Sequence, residues 1–124
     1  MFFRFQSVEV NVIYDKRTRL YWHRPSVNVY NYDQIPLYLE HINKRSAFRW
    51  RLPVLAELDT IIVYNCYGMF KNKIKSFEIY GSYLWSSSEV DEPIKRLIML
   101  KSWAGTCVRV PAYEARVMAV YGGD

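Results

Sequence analysis

Apolar and polar residues alternate in the first part of the chain, and this alternation predicts short β-strands. Over residues 7–13, valines occupy every second position and polar residues stand between them. A period of two is typical of a strand that is buried on one face. Residues 15–18 are polar and predict a turn, so residues 20–22 are expected to form the second strand of a hairpin. Residues 27–30 predict another short strand.

The middle of the chain changes to helical spacing. Residues 34–44 predict a first helix, with Asp33 as its N-cap and Pro36 in its first turn. Four apolar residues of this segment fall at i, i+3, i+4 and i+7 and form one stripe, namely Ile35, Tyr38, Leu39 and Ile42. Residues 53–63 predict a second helix that starts at Pro53, with a buried face of Leu55, Leu58, Ile61 and Ile62.

Extended patterns return in the last part of the chain. Residues 83–85 are bulky, and residues 96–101 form a nearly continuous apolar run that is typical of a central strand. Residues 106–110 and 115–121 alternate again, and residues 122–124 predict a tail. Helices this short need a sheet to pack against. The pattern therefore predicts a single α+β domain over all 124 residues, with two short helices on a mainly antiparallel, twisted sheet.

Composition supports a folded domain. Of the 124 residues, 51% are hydrophobic and 17% are aromatic, whereas disordered chains are poor in aromatic residues. The net charge of +5 is compatible with nucleic acid, anionic lipid or an acidic protein surface, but the basic residues are scattered, which favours a solvated surface. Neither a membrane span nor a signal peptide is recognisable. We expect a cytoplasmic protein, or a secreted one if the chain was trimmed from a longer precursor.

The sequence carries no recognisable catalytic or metal-binding motif. Ser86–Ser88 lack the glycine-flanked elbow of a serine hydrolase, and the two histidines suggest no catalytic triad. Cys66 and Cys107 lack metal-ligand spacing and are compatible with one disulfide or with two buried thiols. The acidic residues 89–93 lack the signatures of calcium-dependent sugar binders. We therefore predict no catalytic residue, no metal and no cofactor.

Four landmarks follow one another in a definite order. They are Tyr14-Asp15 with Thr18, Leu20 and Trp22; Trp50-Arg51-Leu52-Pro53 with Glu57-Leu58; Leu84-Trp85-Ser86-Ser87-Ser88; and Arg116-Val117 near the end. From about residue 13 onward, this order resembles the Lcl C-terminal domain family, named after a bacterial collagen-like adhesin. The resemblance implies a C-type-lectin-like fold, related to formylglycine-generating enzymes and retroelement-diversified binding proteins. It also implies binding of carbohydrates, matrix or other proteins.

The landmark residues are interpreted as structural. The motif tryptophans are expected to anchor the core, because large aromatic residues dominate packing energies: Trp22, Trp50 and Trp85. Arg51 and Glu57 are expected to pair with each other or with buried backbone, and Pro53 to begin the second helix. The resemblance implies that Ser86 and Ser87 belong to a turn that hydrogen-bonds the backbone.

Three positions depart from the family pattern. Arg19 replaces a usual glycine, which predicts an altered turn because glycine has backbone freedom that arginine lacks. Val54 stands where a threonine would cap the second helix and complete a capping box with Glu57. Tyr121 replaces the second basic residue of the last strand. The scaffold is therefore expected to transfer better than the ligand chemistry.

A candidate partner-binding surface lies between the last two long predicted strands, where this fold class presents its ligand surface. It comprises Lys101, Trp103, Arg109 and Tyr113. Tryptophan, tyrosine and arginine dominate the binding energy of protein interfaces. The alternative is that Trp103 is the last tryptophan of the core.

These observations favour a non-enzymatic recognition module that binds a protein partner or a glycan. A phage or mobile element that targets a host protein fits a chain without a signal peptide. One alternative is a nucleic-acid-binding protein that uses basic and aromatic surface residues. Another is a degenerate relative of the formylglycine-generating enzymes. Self-association into a homo-oligomer is compatible with all three hypotheses.

Overall fold

Within the described part of the chain, the main elements are a four-stranded antiparallel sheet and two short helices. The computed structural model describes residues 3–64, 70–72, 74, 77, 84–87, 101–103, 106–108 and 115–122. The strands are β1 (Phe5–Glu9), β2 (Val12–Asp15), β3 (Leu20–His23), β4 (Ile62–Tyr64), β5 (Phe70–Asn72), β6 (Lys101–Trp103), β7 (Thr106–Val108) and β8 (Val120–Gly122). The helices are α1 (Ile35–Lys44) and α2 (Leu55–Asp59), and a 3₁₀ turn at Tyr32–Gln34 precedes α1.

The main sheet has the strand order β1-β2-β3-β8, and every neighbouring pair is antiparallel. Two further antiparallel pairs, β4 with β5 and β6 with β7, stand apart from it. The architecture confirms the predicted α+β class. Among the described residues, no helix is both long enough and apolar enough to cross a membrane.

The strand predicted over residues 7–13 is wrong, because the chain turns in the middle of that segment. β1 ends at Glu9, residues 10–11 form a turn, and β2 starts at Val12. The register between β1 and β2 shifts between Ser7 and Glu9, as in a β-bulge, which redirects the side chains that follow. As a result Val10 is 89% exposed whereas Val12 is 3% exposed. The alternation is real, but it spans two strands.

The hairpin predicted around residues 15–18 is confirmed. Asp15 pairs with Leu20 in the β2–β3 ladder. The fully buried Asp15 carboxylate organises the turn by accepting hydrogen bonds from the Arg17 backbone N–H at 3.0 Å and from Thr18 Oγ1 at 2.8 Å. Arg19 itself adopts the left-handed conformation, with φ at 63°, that a glycine would adopt freely. The turn therefore closes with arginine in place of glycine.

The first helix follows the predicted stripe but has a different cap. Asn31, not Asp33, caps the preceding 3₁₀ turn: Asn31 Oδ1 accepts from the Gln34 N–H, and Gln34 Oε1 accepts from the Asn31 N–H. Pro36 lies in the first turn of α1, as expected. Ile35 is buried, and the other residues of the stripe pack partly buried against the core.

The second helix is much shorter than the predicted residues 53–63, and it begins at Leu55, so the prediction that Pro53 starts it is wrong. α2 ends at Asp59 because the Thr60 and Ile61 N–H groups close tight turns onto the carbonyls of Glu57 and Leu58. The β-branched pair Ile62-Val63 then enters β4. Such residues lose side-chain freedom in a helix and fit well in a strand.

Two other expected elements are modified. Residues 27–30 do not form a strand: Val27 is 84% exposed, and Tyr30 makes a single antiparallel bridge to Ala115. The closing segment, residues 115–121, is mostly extended chain with isolated bridges, and its ladder with β3 begins at Val120. Gly122 is part of β8 and not of a tail. Residues 83, 88–100 and 109–114 lie outside the described residues, as does Cys66.

Among the residues that the structure describes, buried side chains form three clusters, and the closing segment contributes to all of them. Met118 and Val120 belong to the largest cluster, with Trp22, Leu58, Ile61, Phe77 and Leu84 among its members. Ala115 and Val117 pack with Trp85 and Ile35, whereas Ala119 packs with Val12 and Trp50. Trp22 and Trp85 are fully buried and Trp50 is 4% exposed, which confirms all three as core residues.

Candidate binding cleft

The arginine and glutamate of the second landmark form a bidentate pair. Arg51 Nη1 and Nη2 donate to Glu57 Oε1 and Oε2 at 2.9 and 2.8 Å, and Nη2 also donates to the Gly122 carbonyl at 2.7 Å. Burial alone would raise the pKa of Glu57, but hydrogen bonds from Arg51 and from the Val54 N–H outweigh it and lower the pKa. Val54 supplies no side-chain cap, as predicted. The pair joins α2 to the end of the chain and is structural.

The third landmark also has structural contacts. Trp85 Nε1 donates to the Tyr30 carbonyl at 2.8 Å. Ser87 donates to the Pro53 carbonyl through its backbone N–H at 2.9 Å and its hydroxyl at 3.3 Å. Ser86 is fully buried. The backbone hydrogen bonding that the resemblance implied for these serines is confirmed at Ser87.

The partner-binding surface predicted from the sequence is only partly within the described residues. Lys101 and Trp103 lie on β6. Trp103 pairs with Thr106 at the end of the β6–β7 ladder. Arg109 and Tyr113 lie outside the described residues, so this surface stays a prediction.

A cleft of about 600 Å³ opens at the other end of the β2–β3 hairpin. One lip is the β1–β2 turn, the floor comes from the start of β2, the end of β3 and the segment after α1, and the second lip is the C-terminal end of α1. The lining residues are Glu9, Val10, Asn11, Val12, His23, His41, Ile42, Arg45, Ser46 and Trp50. Its volume lies within the range of small-ligand sites, about 300–1,000 Å³.

An asparagine of α1 fixes the floor of the cleft. Asn43 Oδ1 accepts from the Trp50 N–H at 2.6 Å, and Asn43 Nδ2 donates to the Trp50 carbonyl at 3.2 Å. Trp50 packs edge-on against His23, with ring centroids 5.2 Å apart, and against Phe48 at 5.4 Å. The Trp50 indole N–H has no hydrogen-bond partner among the described residues. Because the backbone of Trp50 is tied to the helix, the floor is preorganised.

His23 has a defined tautomer. Its Nδ1 lies 2.8 Å from the Arg24 carbonyl, and because a carbonyl can only accept, Nδ1 carries the proton. Burial lowers the pKa of His23, so the ring is neutral near pH 7. The Nε2 atom is then an acceptor, and no other described residue hydrogen-bonds the ring.

The two histidines of the chain are 18 positions apart, yet both line this cleft. Sequence reasoning missed the site because each histidine was considered with its neighbours in sequence. The sequence does show one histidine at the end of a predicted strand and another in the last turn of α1. Whether the two lie near each other depends on how the hairpin packs against the helix. Within the described ranges, no three histidine, cysteine, aspartate or glutamate side chains are grouped so as to hold a metal ion.

Comparison of the chain with protein-family models, with curated proteins and with solved structures finds no match.

Proposed function

We propose that this protein is a non-enzymatic recognition module that binds a protein partner through the cleft between the β1–β2 turn and α1. The proposal includes a C-type-lectin-like arrangement of the domain, which the ordered landmarks of the sequence suggest. The observation that carries the functional part is the cleft itself. Its floor is held by hydrogen bonds within the chain, so little conformational freedom is lost when a ligand enters.

The exposure of the lining residues favours a protein partner over a glycan. Val10 stands on the lip with 89% of its side chain exposed, and this exposed valine suits an apolar side chain of a partner. Stacking on a sugar ring needs an open aromatic face, whereas Trp50 is 4% exposed. The glycan alternative therefore depends on the family resemblance alone.

The surface predicted from the sequence is retained as a second contact region. Lys101 and Trp103 belong to β6, and together with Arg109 and Tyr113 they supply residue types common in interface hot spots. A partner that needs both regions would be more sensitive to Trp103 than a partner held by the cleft alone.

Affinity capture with matched variants tests this function. Val10→Asp places a charge on the lip, and Val27→Asp makes the same change at a valine that is 84% exposed and does not line the cleft. We expect a protein that the unmodified chain and Val27→Asp retain from nuclease-treated lysate of the source cells, and that Val10→Asp loses. Calorimetry with that purified protein should then show at least a tenfold difference in Kd between the two variants.

Three outcomes contradict the proposal. If neither Val10→Asp nor Trp103→Ala reduces the amount of protein captured, neither surface is the binding site. Loss of capture only when nuclease is added indicates nucleic acid as the ligand, with the steep salt dependence of phosphate contacts. Oxidation of a cysteine-containing peptide would favour the degenerate-enzyme alternative.

A further inference from the structure

The two lips of the cleft carry charges of opposite sign. The β1–β2 turn contributes the exposed carboxylate of Glu9, whereas the end of α1 contributes His41 and the exposed guanidinium of Arg45. No carboxylate in the described part of the chain forms an ion pair with Arg45, and Glu40 of the same helix is held by Lys44 at 3.4 Å. Cations at a helix C-terminus are favoured by the helix dipole, so the α1 lip is a stable positive surface.

The floor adds a histidine whose charge depends on its surroundings. The charges of Glu9, at the end of β1, and of the adjoining Arg24 act on His23, and His41 and Arg45 line the same cleft. Burial lowers the pKa of His23 most. The hydrogen bond to the Arg24 carbonyl and the charge of Glu9 raise it, whereas the charge of Arg24 lowers it. An anion placed between His23 and the α1 lip would stabilise the protonated ring.

We propose that the cleft binds an acidic segment of a protein partner, with a carboxylate between Arg45 and the two histidines and an apolar side chain beside Val10, and that binding tightens as the pH falls. This inference rests on the proposed function, because it takes the cleft as the partner-binding site. Charge complementarity supports the occupant, since the α1 lip is cationic and the whole chain carries a net charge of +5.

The direction of the pH dependence follows from linkage. A carboxylate within about 4–6 Å of an imidazolium raises its pKa by about one unit or more. A group whose pKa is higher in the complex takes up a proton on binding, so affinity is greatest below the pKa of the free ring and declines as the pH rises through the pKa of the complex. The pKa of His23 in the free protein lies below the ordinary histidine value of about 6.5. The increase in affinity therefore reaches its full size only on the acidic side of that value.

The probe is an acetylated and amidated hexapeptide of glutamate and leucine, compared with the same peptide carrying glutamine in place of glutamate. Titrations followed by NMR of the imidazole and indole groups should shift the signals of His23, His41 and Trp50 with the glutamate peptide. We expect its Kd to be about threefold to tenfold lower at pH 5.5 than at pH 7.5, as an increase of about one unit or more in the pKa of His23 requires.

Charge variants separate the cleft from a general effect of net charge. Arg45→Ala should weaken binding severalfold and Glu9→Gln should strengthen it, because one removes an attractive charge and the other a repulsive charge. Arg17→Ala makes the same charge change as Arg45→Ala, but in the turn at the opposite end of β2 and outside the cleft lining. It should leave the Kd unchanged. His23→Gln should reduce the difference in Kd between pH 5.5 and pH 7.5.

Equal binding of the two peptides, equal weakening by Arg17→Ala and Arg45→Ala, or an affinity independent of pH would each overturn the acidic-segment proposal. A different result would contradict the proposed recognition function. That function requires that capture of a partner depend on Val10 or Trp103, whatever the charge of the ligand. If Val10→Asp abolishes capture of a partner and Arg45→Ala does not reduce it, the recognition function is supported and an acidic segment is excluded as the ligand.

Discussion

Replacing Asp15 by asparagine tests how strongly the first hairpin depends on one buried carboxylate. Asp15 is 0% exposed and accepts four hydrogen bonds. Oδ1 accepts from Arg4 Nε at 2.8 Å and from the Arg17 N–H at 3.0 Å. Oδ2 accepts from Arg4 Nη2 at 2.8 Å and from Thr18 Oγ1 at 2.8 Å. Asparagine has the same shape, but only one of its two terminal atoms is an oxygen.

The expected cost follows from these contacts. If the asparagine oxygen keeps the Oδ1 contacts, its NH₂ group faces Arg4 Nη2, which is also a donor, while the Thr18 hydroxyl can rotate and accept. One charge-assisted hydrogen bond is then lost, at about 1.5–3 kcal/mol. The Arg4 guanidinium, 21% exposed, also loses its counter-ion. We expect Asp15→Asn to lower the free energy of unfolding by about 3 kcal/mol, near the lower limit for breaking a buried pair.

The pH dependence of stability gives an independent check. Burial alone would raise the pKa of Asp15, but hydrogen bonds from Arg4, Thr18 and the Arg17 backbone outweigh it, so the pKa in the folded protein lies below the ordinary value. The lowered pKa contributes stability that is fully present above the unfolded pKa of about 3.9 and is lost as the pH falls through the folded pKa. The difference between the native chain and Asp15→Asn should therefore narrow below about pH 4.

Urea unfolding followed by tryptophan fluorescence at pH 7 and pH 3 measures both effects. The matched control is Asp33→Asn, because Asp33 is exposed and its replacement should change the free energy of unfolding by less than about 0.5 kcal/mol. The reasoning would be refuted if, at pH 7, Asp15→Asn lowered the free energy of unfolding no more than Asp33→Asn does. It would also be refuted if the difference in free energy of unfolding between the native chain and Asp15→Asn were as large at pH 3 as at pH 7.

Three further substitutions test other features of the fold. Arg19→Gly should stabilise the protein by up to about 1 kcal/mol, because φ is 63° there; an unchanged Tm would contradict this. Gly122→Ala should destabilise it by about 1–3 kcal/mol, because φ is 110° and a Cβ atom would lie 3.1 Å from the Arg19 carbonyl oxygen; urea unfolding measures the loss. Asn43→Ala should cost about 1–2 kcal/mol and alter Trp50 fluorescence, since it removes both side-chain hydrogen bonds to the Trp50 backbone. Native stability in that variant would show that the floor of the cleft does not need the asparagine.

Local patterns predicted the elements whose determinants are close together in sequence. The β2–β3 turn followed from its polar residues, and the stripe of α1 followed from its spacing, because backbone hydrogen bonding in both is local. The pairing of Arg51 with Glu57 could also be anticipated, since six residues separate them around the start of α2. The core tryptophans were identifiable because few other sites accommodate such large apolar side chains.

Boundaries were predicted less well where two local preferences compete. The valines of residues 7–13 alternate across a turn, and only the pairing of β1 with β2 shows where the strand ends. Residues 60–63 fit the apolar spacing of a helix, but the pairing of Ile62 with Asn72 in β5 decides for a strand. In both cases the deciding partner lies on another strand, which a local pattern does not include.

The sequence by itself determined an α+β domain, its first hairpin and the core tryptophans, because each depends on residue type and short spacing. It left Arg51 and Glu57 to pair with each other or with buried backbone, and the structure shows that Arg51 does both. The tertiary structure alone decided the cleft. Glu9, His23 and Arg45 come from three separate elements, and they line one cavity only because the hairpin packs against the C-terminal end of α1. The place of Gly122 in β8 was likewise decided by the pairing with β3. Long-range packing selects these arrangements among several that the local sequence allows.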